Sequence, residues 1–65
     1  MKFSIPDMSC AHCKATVEKT IIDLDSAADV RVDLAAKTAE VVSTAPAEAI
    51  RNALAAEGYP ALLTR

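Results

Sequence analysis

Apolar side chains in this chain switch between every-other-residue spacing and helical spacing, and the order of the switches leaves few folds open. Lys2-Phe3-Ser4-Ile5 alternates polar with apolar and stops at Pro6, which predicts a short strand with Phe3 and Ile5 facing inward. Asp7 to His12 reads as a loop. From Cys13 to about Leu24, the residues Val17, Ile21 and Leu24 fall on one helical face, with Lys14, Glu18 and Lys19 on the outer side. Asp25-Ser26-Ala27 reads as a turn. Val30, Val32 and Leu34 then alternate with Asp29, Arg31 and Asp33, the pattern of a half-buried strand. Ala35-Ala36-Lys37-Thr38 connects it to a second strand over Ala39 to Ser43, with Ala39 and Val41 inward. Pro46 suits the first turn of a helix that runs to about Glu57 and buries Ile50, Ala53 and Leu54. Gly58, free to take the left-handed conformation, ends it, and Ala61 to Thr64 forms a last strand.

The order is β-α-β-β-α-β with short connections. That is the split βαβ, ferredoxin-like arrangement, an α+β open-faced sandwich. Right-handed crossovers place both helices on one face of a four-stranded antiparallel sheet. The 65 residues suffice for one domain, spanning 1–65. Phe3 and Tyr59 are the only aromatic residues, and alanine supplies a large part of the apolar share, so the core is thin. It leaves little room for an active-site cavity, and a binding protein is expected, not an enzyme.

Net charge is −2, and the seven basic residues are scattered, so the chain lacks the electrostatic footprint of a nucleic-acid binder. Its apolar stretches fall far short of the twenty or so residues of a membrane span, which argues against membrane insertion. Met1 to Asp7 contains no apolar core of a signal peptide. A cytoplasmic location is expected, where thiols stay reduced.

The stretch that carries chemistry is Met8-Ser9-Cys10-Ala11-His12-Cys13. Two cysteines three apart, where a loop enters a helix, can aim both sulfurs at one spot. The helix N-terminus adds positive partial charge there, which favours thiolates. Soft thiolates select Cu(I), with Zn(II) and mercury as competitors. A closed structural zinc site would want four ligands, whereas this stretch offers Cys10, Cys13 and His12. Free cysteines are usually buried as small hydrophobes, but this pair flanks a polar loop. A dithiol–disulfide redox role shares the spacing and is a further alternative.

His12 lies between the two cysteines, and such a residue usually points away from their shared ion. Solvent exposure is expected in the monomer. The alternative is an additional ligand, within the monomer or across a copper-bridged homodimer, with a proton-dependent effect on release. Met8 is read as core packing that anchors the loop, although a thioether can ligate Cu(I). The face bearing Lys14, Glu18, Lys19 and Asp23 is read as a solvated helix surface beside the loop.

With Met8, Cys10 and Cys13 matching Met-x-Cys-x-x-Cys, the chain resembles the heavy-metal-associated domain family, and within it the free-standing bacterial copper chaperones of the CopZ and Atx1 type. The spacing of Val30, Val32, Leu34, Ala39 and Val41, then Ile50 and Gly58-Tyr59, extends the resemblance over the whole chain. It implies Cys10 and Cys13 as metal ligands, Met8 as a buried loop anchor and Tyr59 near the sulfurs. It also implies Cu(I) exchange with a P-type copper-transporting ATPase carrying similar domains. Asp7 stands where the family often has glycine, Ser26-Ala27 where it has Gly-Val, and His12 is a further departure. Zinc-transporting relatives commonly carry aspartate directly before the first cysteine. Ser9 stands there instead, which favours copper over a zinc carrier.

Overall fold

A computed structural model describes residues 1–64, so Arg65, the last residue of the expected 1–65 domain, lies outside the described residues. The elements follow the expected order: β1 (Lys2–Ser4), α1 (Ala11–Leu24), β2 (Asp29–Asp33), β3 (Thr38–Val42), α2 (Ala47–Ala56) and β4 (Leu62–Leu63). The four strands form one antiparallel sheet in the order β2-β3-β1-β4. Phe3 faces Ala39, and Val30 faces Val41, so the inward positions line up across the strands. They meet Val17 and Ile21 of α1 and Ile50 and Leu54 of α2 in a single core, which also takes in Ile5, Met8 and Ala61. This is the expected ferredoxin-like sandwich. Its core carries one aromatic ring, that of Phe3.

Boundaries shift where caps decide them. Helix α1 starts at Ala11, two residues before the expected Cys13, because Cys10 holds an extended conformation (φ −149°, ψ 169°) and its carbonyl accepts from the Lys14 N–H at 3.0 Å. Pro46 is the N-cap of α2 and not its first helical residue. Its carbonyl accepts from Ala49 and Ile50 while its own ring fixes φ at −67°. At the other end Gly58 takes φ 89°, Gly58 N–H donates to Ala55 O and Tyr59 N–H to Leu54 O, which is a Schellman closure. That closure aims the chain from α2 toward Tyr59. Strand β1 loses Ile5 at its end, and β4 keeps only its two leucines, although Thr64 N–H still donates to Lys2 O.

Leu24 departs from its expected burial. It is 44% exposed, since it ends α1 and lines a groove with Ala53 and Ala56 of α2 instead of entering the core. Ala53 is half-buried, beside the fully buried Ile50 and Leu54. The β2–β3 hairpin has no glycine, so Lys37 takes the left-handed conformation itself (φ 55°).

Asp25 joins the far end of α1 to the segment before α2. Its carboxylate accepts from Ser43 Oγ at 2.7 Å, from Ala27 N–H and from the Thr44 N–H. These contacts hold the turn at Ser26-Ala27. The Ser43 hydroxyl first, and the Ala27 amide second, hold the Asp25 carboxyl below its ordinary pKa. A carboxyl depressed in the folded state stabilises the fold above its unfolded pKa and loses that contribution as pH falls through the folded one. Asp25→Asn is expected to lower the thermal midpoint by a few degrees at pH 7. The gap should close as pH drops below about 4. Thermal melts across that range, followed by circular dichroism, check it.

Candidate metal centre

The site is built outward from Met8. Its side chain is wholly buried, and its N–H donates to Ile5 O at 3.0 Å, closing a turn with Pro6 and Asp7 at the tip. Ile5 is itself buried, and its N–H donates to Lys37 O at 2.8 Å. Both ends of the turn are therefore held by the core and the hairpin. Ser9 and Cys10 emerge from it directly into solvent.

Cys10 then serves as the N-cap of α1 without using its side chain as a cap, and Cys13 lies three residues on in the first turn. The two sulfurs stand 3.2 Å apart, as free thiols in hydrogen-bonding contact. Cys10 is exposed and Cys13 half-buried. The first turn of α1 contains no acidic residue, so no carboxylate of that turn offsets the helix's positive end beside the sulfurs.

The pKa of Cys13 is brought below the ordinary thiol value, down to about 6. The Tyr59 hydroxyl is the largest cause, donating to the Cys13 sulfur. The Ser9 backbone, the Cys10 thiol and the Cys10 backbone add smaller contributions, against the opposing effect of partial burial. Tyr59 responds in the opposite sense, its own pKa raised by that hydrogen bond and by burial. Near neutral pH Cys13 therefore favours the thiolate, a soft anionic donor beside the Cys10 sulfur and reachable from outside.

Met8 is wholly buried at the base of the loop, and the Tyr59 hydroxyl acts on the Cys13 sulfur. His12 and Asp7 are exposed. Among the described residues no three His, Cys, Asp or Glu side chains converge as a metal-holding group, so the structure does not bring His12 to the cysteines as a third ligand within the chain. The reason is the early helix start. His12 sits in the first turn, with its carbonyl accepting from Thr16 Oγ1 at 3.1 Å. Sequence reasoning missed the backbone contributions of Ser9 and Cys10, which carry no side-chain signal. Among the described residues no helix is long and apolar enough to cross a membrane.

Comparison with known proteins agrees with this geometry. The sequence profile of the family described as Heavy-metal-associated domain matches residues 2–60. A curated relative, the COP-associated protein of Helicobacter felis, is 38% identical over 63 residues, covering 91% of this chain and 96% of its own. Among solved structures, a gold binding protein superposes with a TM-score of 0.92 at 44% identity, covering 94% of each chain. The copper chaperone Atx1 from Synechocystis PCC6803, solved as a His61Tyr mutant, also gives a TM-score of 0.92, at 31% identity over 95% of this chain and 98% of its own.

Selective alkylation tests the electrostatics of the pair. The reaction rate of Cys13 with iodoacetamide in metal-free protein is expected to rise through a midpoint near pH 6. Tyr59→Phe should move that midpoint upward, toward the ordinary thiol range of about 8.5. A midpoint unmoved by the substitution would contradict the role given to the phenol.

Proposed function

Since the chain belongs to the heavy-metal-associated domain family, we propose that it carries Cu(I) between Cys10 and Cys13 and passes the ion to another protein. The observation that carries this reading is the exposed pair of sulfurs, 3.2 Å apart at a helix N-terminus, with no third ligand converging on them among the described residues. Two soft donors satisfy a soft monovalent ion while leaving its coordination open. A partner's thiolate attacks the bound ion, a three-coordinate intermediate forms, and one of the two cysteines leaves. The incoming thiol gives up its proton, the departing sulfur regains one, and the metal keeps its oxidation state. No step releases free ion.

The proposed recipient is a P-type copper-transporting ATPase bearing domains of the same kind, and the proposed location is the cytoplasm. Without a recipient, a second copy of the chain supplies the incoming sulfur, giving a copper-bridged homodimer in which the exposed His12 is available to the shared ion. The domain acts here as a carrier and not as an enzyme, and residues 1–65 form the single domain. Ser9 in place of aspartate beside Cys10 favours Cu(I) over Zn(II).

A second reading draws on the 44% identical gold binding protein. Au(I) is also a soft monovalent ion suited to two thiolates, and the same pair would hold it.

An anaerobic competition titration against a strong Cu(I) chelator, repeated with Au(I) and with Zn(II), separates these readings. One Cu(I) per chain is expected, bound more tightly than Zn(II). Cys10→Ser and Cys13→Ser should each weaken it by more than about a hundredfold, beyond the loss that follows removal of an outer partner of a ligand. Tighter Au(I) binding would favour the second reading, and a preference for Zn(II) would contradict both.

A further inference from the structure

The sheet has two edges, β2 and β4, and each presents backbone N–H and C=O groups that its single neighbouring strand does not use. Thr64 N–H donates to Lys2 O, which makes Lys2 and Thr64 a hydrogen-bonded pair. By the alternation of an antiparallel ladder, Ser4 and Leu62 are another. The N–H and C=O of Leu63, opposite Phe3, therefore point away from β1, as do those of Ala61 where the chain enters the strand. In β3, Val41 exchanges hydrogen bonds with Met1, so Ala39 also faces β1, while Thr38, Glu40 and Val42 face β2. Their partners Asp33, Arg31 and Asp29 bond inward, which leaves the backbone groups of Val30 and Val32 on the outer edge.

Charge separates the two edges. A second copy running antiparallel along β2, and bonding through both Val30 and Val32, brings Arg31 opposite Arg31 of the other copy and Asp29 opposite Asp33. Like charges directly opposite destabilise a strand pair, and an edge so charged resists copying itself. The same operation on β4 bonds Ala61 of one copy to Leu63 of the other and sets Leu62 against Leu62. Residues 61–64 carry no charged side chain. Leu62 shares the helix-free face with Ser4 and is 63% exposed, and Leu63, on the helix side, is 45% exposed.

We infer that β4 is a self-pairing edge: two copies of the chain join residues 61–63 antiparallel about a two-fold axis at Leu62, making one eight-stranded sheet. The sulfurs lie outside this interface. Tyr59, whose hydroxyl acts on Cys13, precedes Pro60 and Ala61, so the metal loop sits past the N-terminal end of β4. Antiparallel strands carry those ends in opposite directions, and both cysteine pairs stay open. This dimer forms without copper, unlike a copper-bridged one, and does not depend on the carrier reading. Two leucines a side make an interface well under the roughly 800 Å² per partner of a stable complex, so the association is weak.

Sedimentation velocity and nitrogen-labelled amide NMR on reduced, metal-free protein test it, from about 0.05 to about 2 mM, where small interfaces form. A dimer fraction that rises with concentration is expected, with the amides of Ala61 and Leu63 shifting most. Leu62→Lys and Leu62→Glu should each self-associate about tenfold more weakly, through the lost leucine contact and the like charges brought together. Because Leu62 is exposed, both variants should keep the melting temperature of the unsubstituted protein. An equimolar mixture of the two should recover the association. The double variant Cys10→Ser, Cys13→Ser should dimerise as before, which a metal- or disulfide-bridged dimer would not do. Absence of association at the highest concentration, shifts centred on β2 or the metal loop, or a mixture that stays monomeric would overturn the inference. Loss of association in the cysteine variant would overturn it equally.

Discussion

Met8 has no exposed surface, yet the next two residues, Ser9 and Cys10, are both in solvent. The chain passes from core to surface in a single step, and the rest of the site depends on that step. Burying a methionine side chain contributes about 1.5–3 kcal/mol. Here the contribution is spent at the base of a loop, where it holds the turn from Ile5 to Met8 against the sheet. Ile5 fixes the same turn from the other side, by its own burial and its hydrogen bond to Lys37 O. Cys10 is consequently presented as an N-cap at a defined distance from the core. Its side chain remains free because no cap hydrogen bond claims it.

The second constraint is electrical. A thiol sheltered by protein resists ionisation, and partial burial does push Cys13 in that direction. Donors from two distant parts of the chain outweigh it. The phenol of Tyr59 arrives from the end of α2, amides come from the loop, and the Cys10 thiol comes from the N-cap. The glycine at position 58 is what allows the first of these, since its φ of 89° turns the chain back toward α1. A residue at the far end of the sequence thereby tunes the acidity of one near the beginning. The sheet order β2-β3-β1-β4 brings them close, by setting the last strand beside the first.

Much of this was legible in the residues. The alternation of Val30 and Val32 with charged neighbours and the helical spacing of Val17 and Ile21 are period signals that burial enforces, and they yielded the element order and the core. Met8, Cys10 and Cys13 stood out as a motif, and the structure brings the two sulfurs together. Tyr59 was placed only through its resemblance to known chaperones, because nothing local connects it to a loop 46 residues earlier. Cap positions were harder to read. Proline marks a helix start to within a residue, as at Pro46, whereas cysteine carries no cap signal, as at Cys10. Leu24 failed because periodicity reports which way a side chain faces and not whether a neighbouring element covers it. The Asp25 clasp joins residues 18 and 19 apart through an ordinary turn sequence, with no pattern to mark it.

Taken together, the loop anchor, the free N-cap side chain and the acidic Cys13 describe a site that ends at two sulfurs and leaves the rest of the coordination sphere to a visitor. Copper K-edge X-ray absorption on dilute, monomeric Cu(I)-loaded protein examines that claim at the metal itself. Two sulfur scatterers and no imidazole signature are the predicted result. A shell containing the His12 ring, or oxygen donors in place of one cysteine, would contradict it.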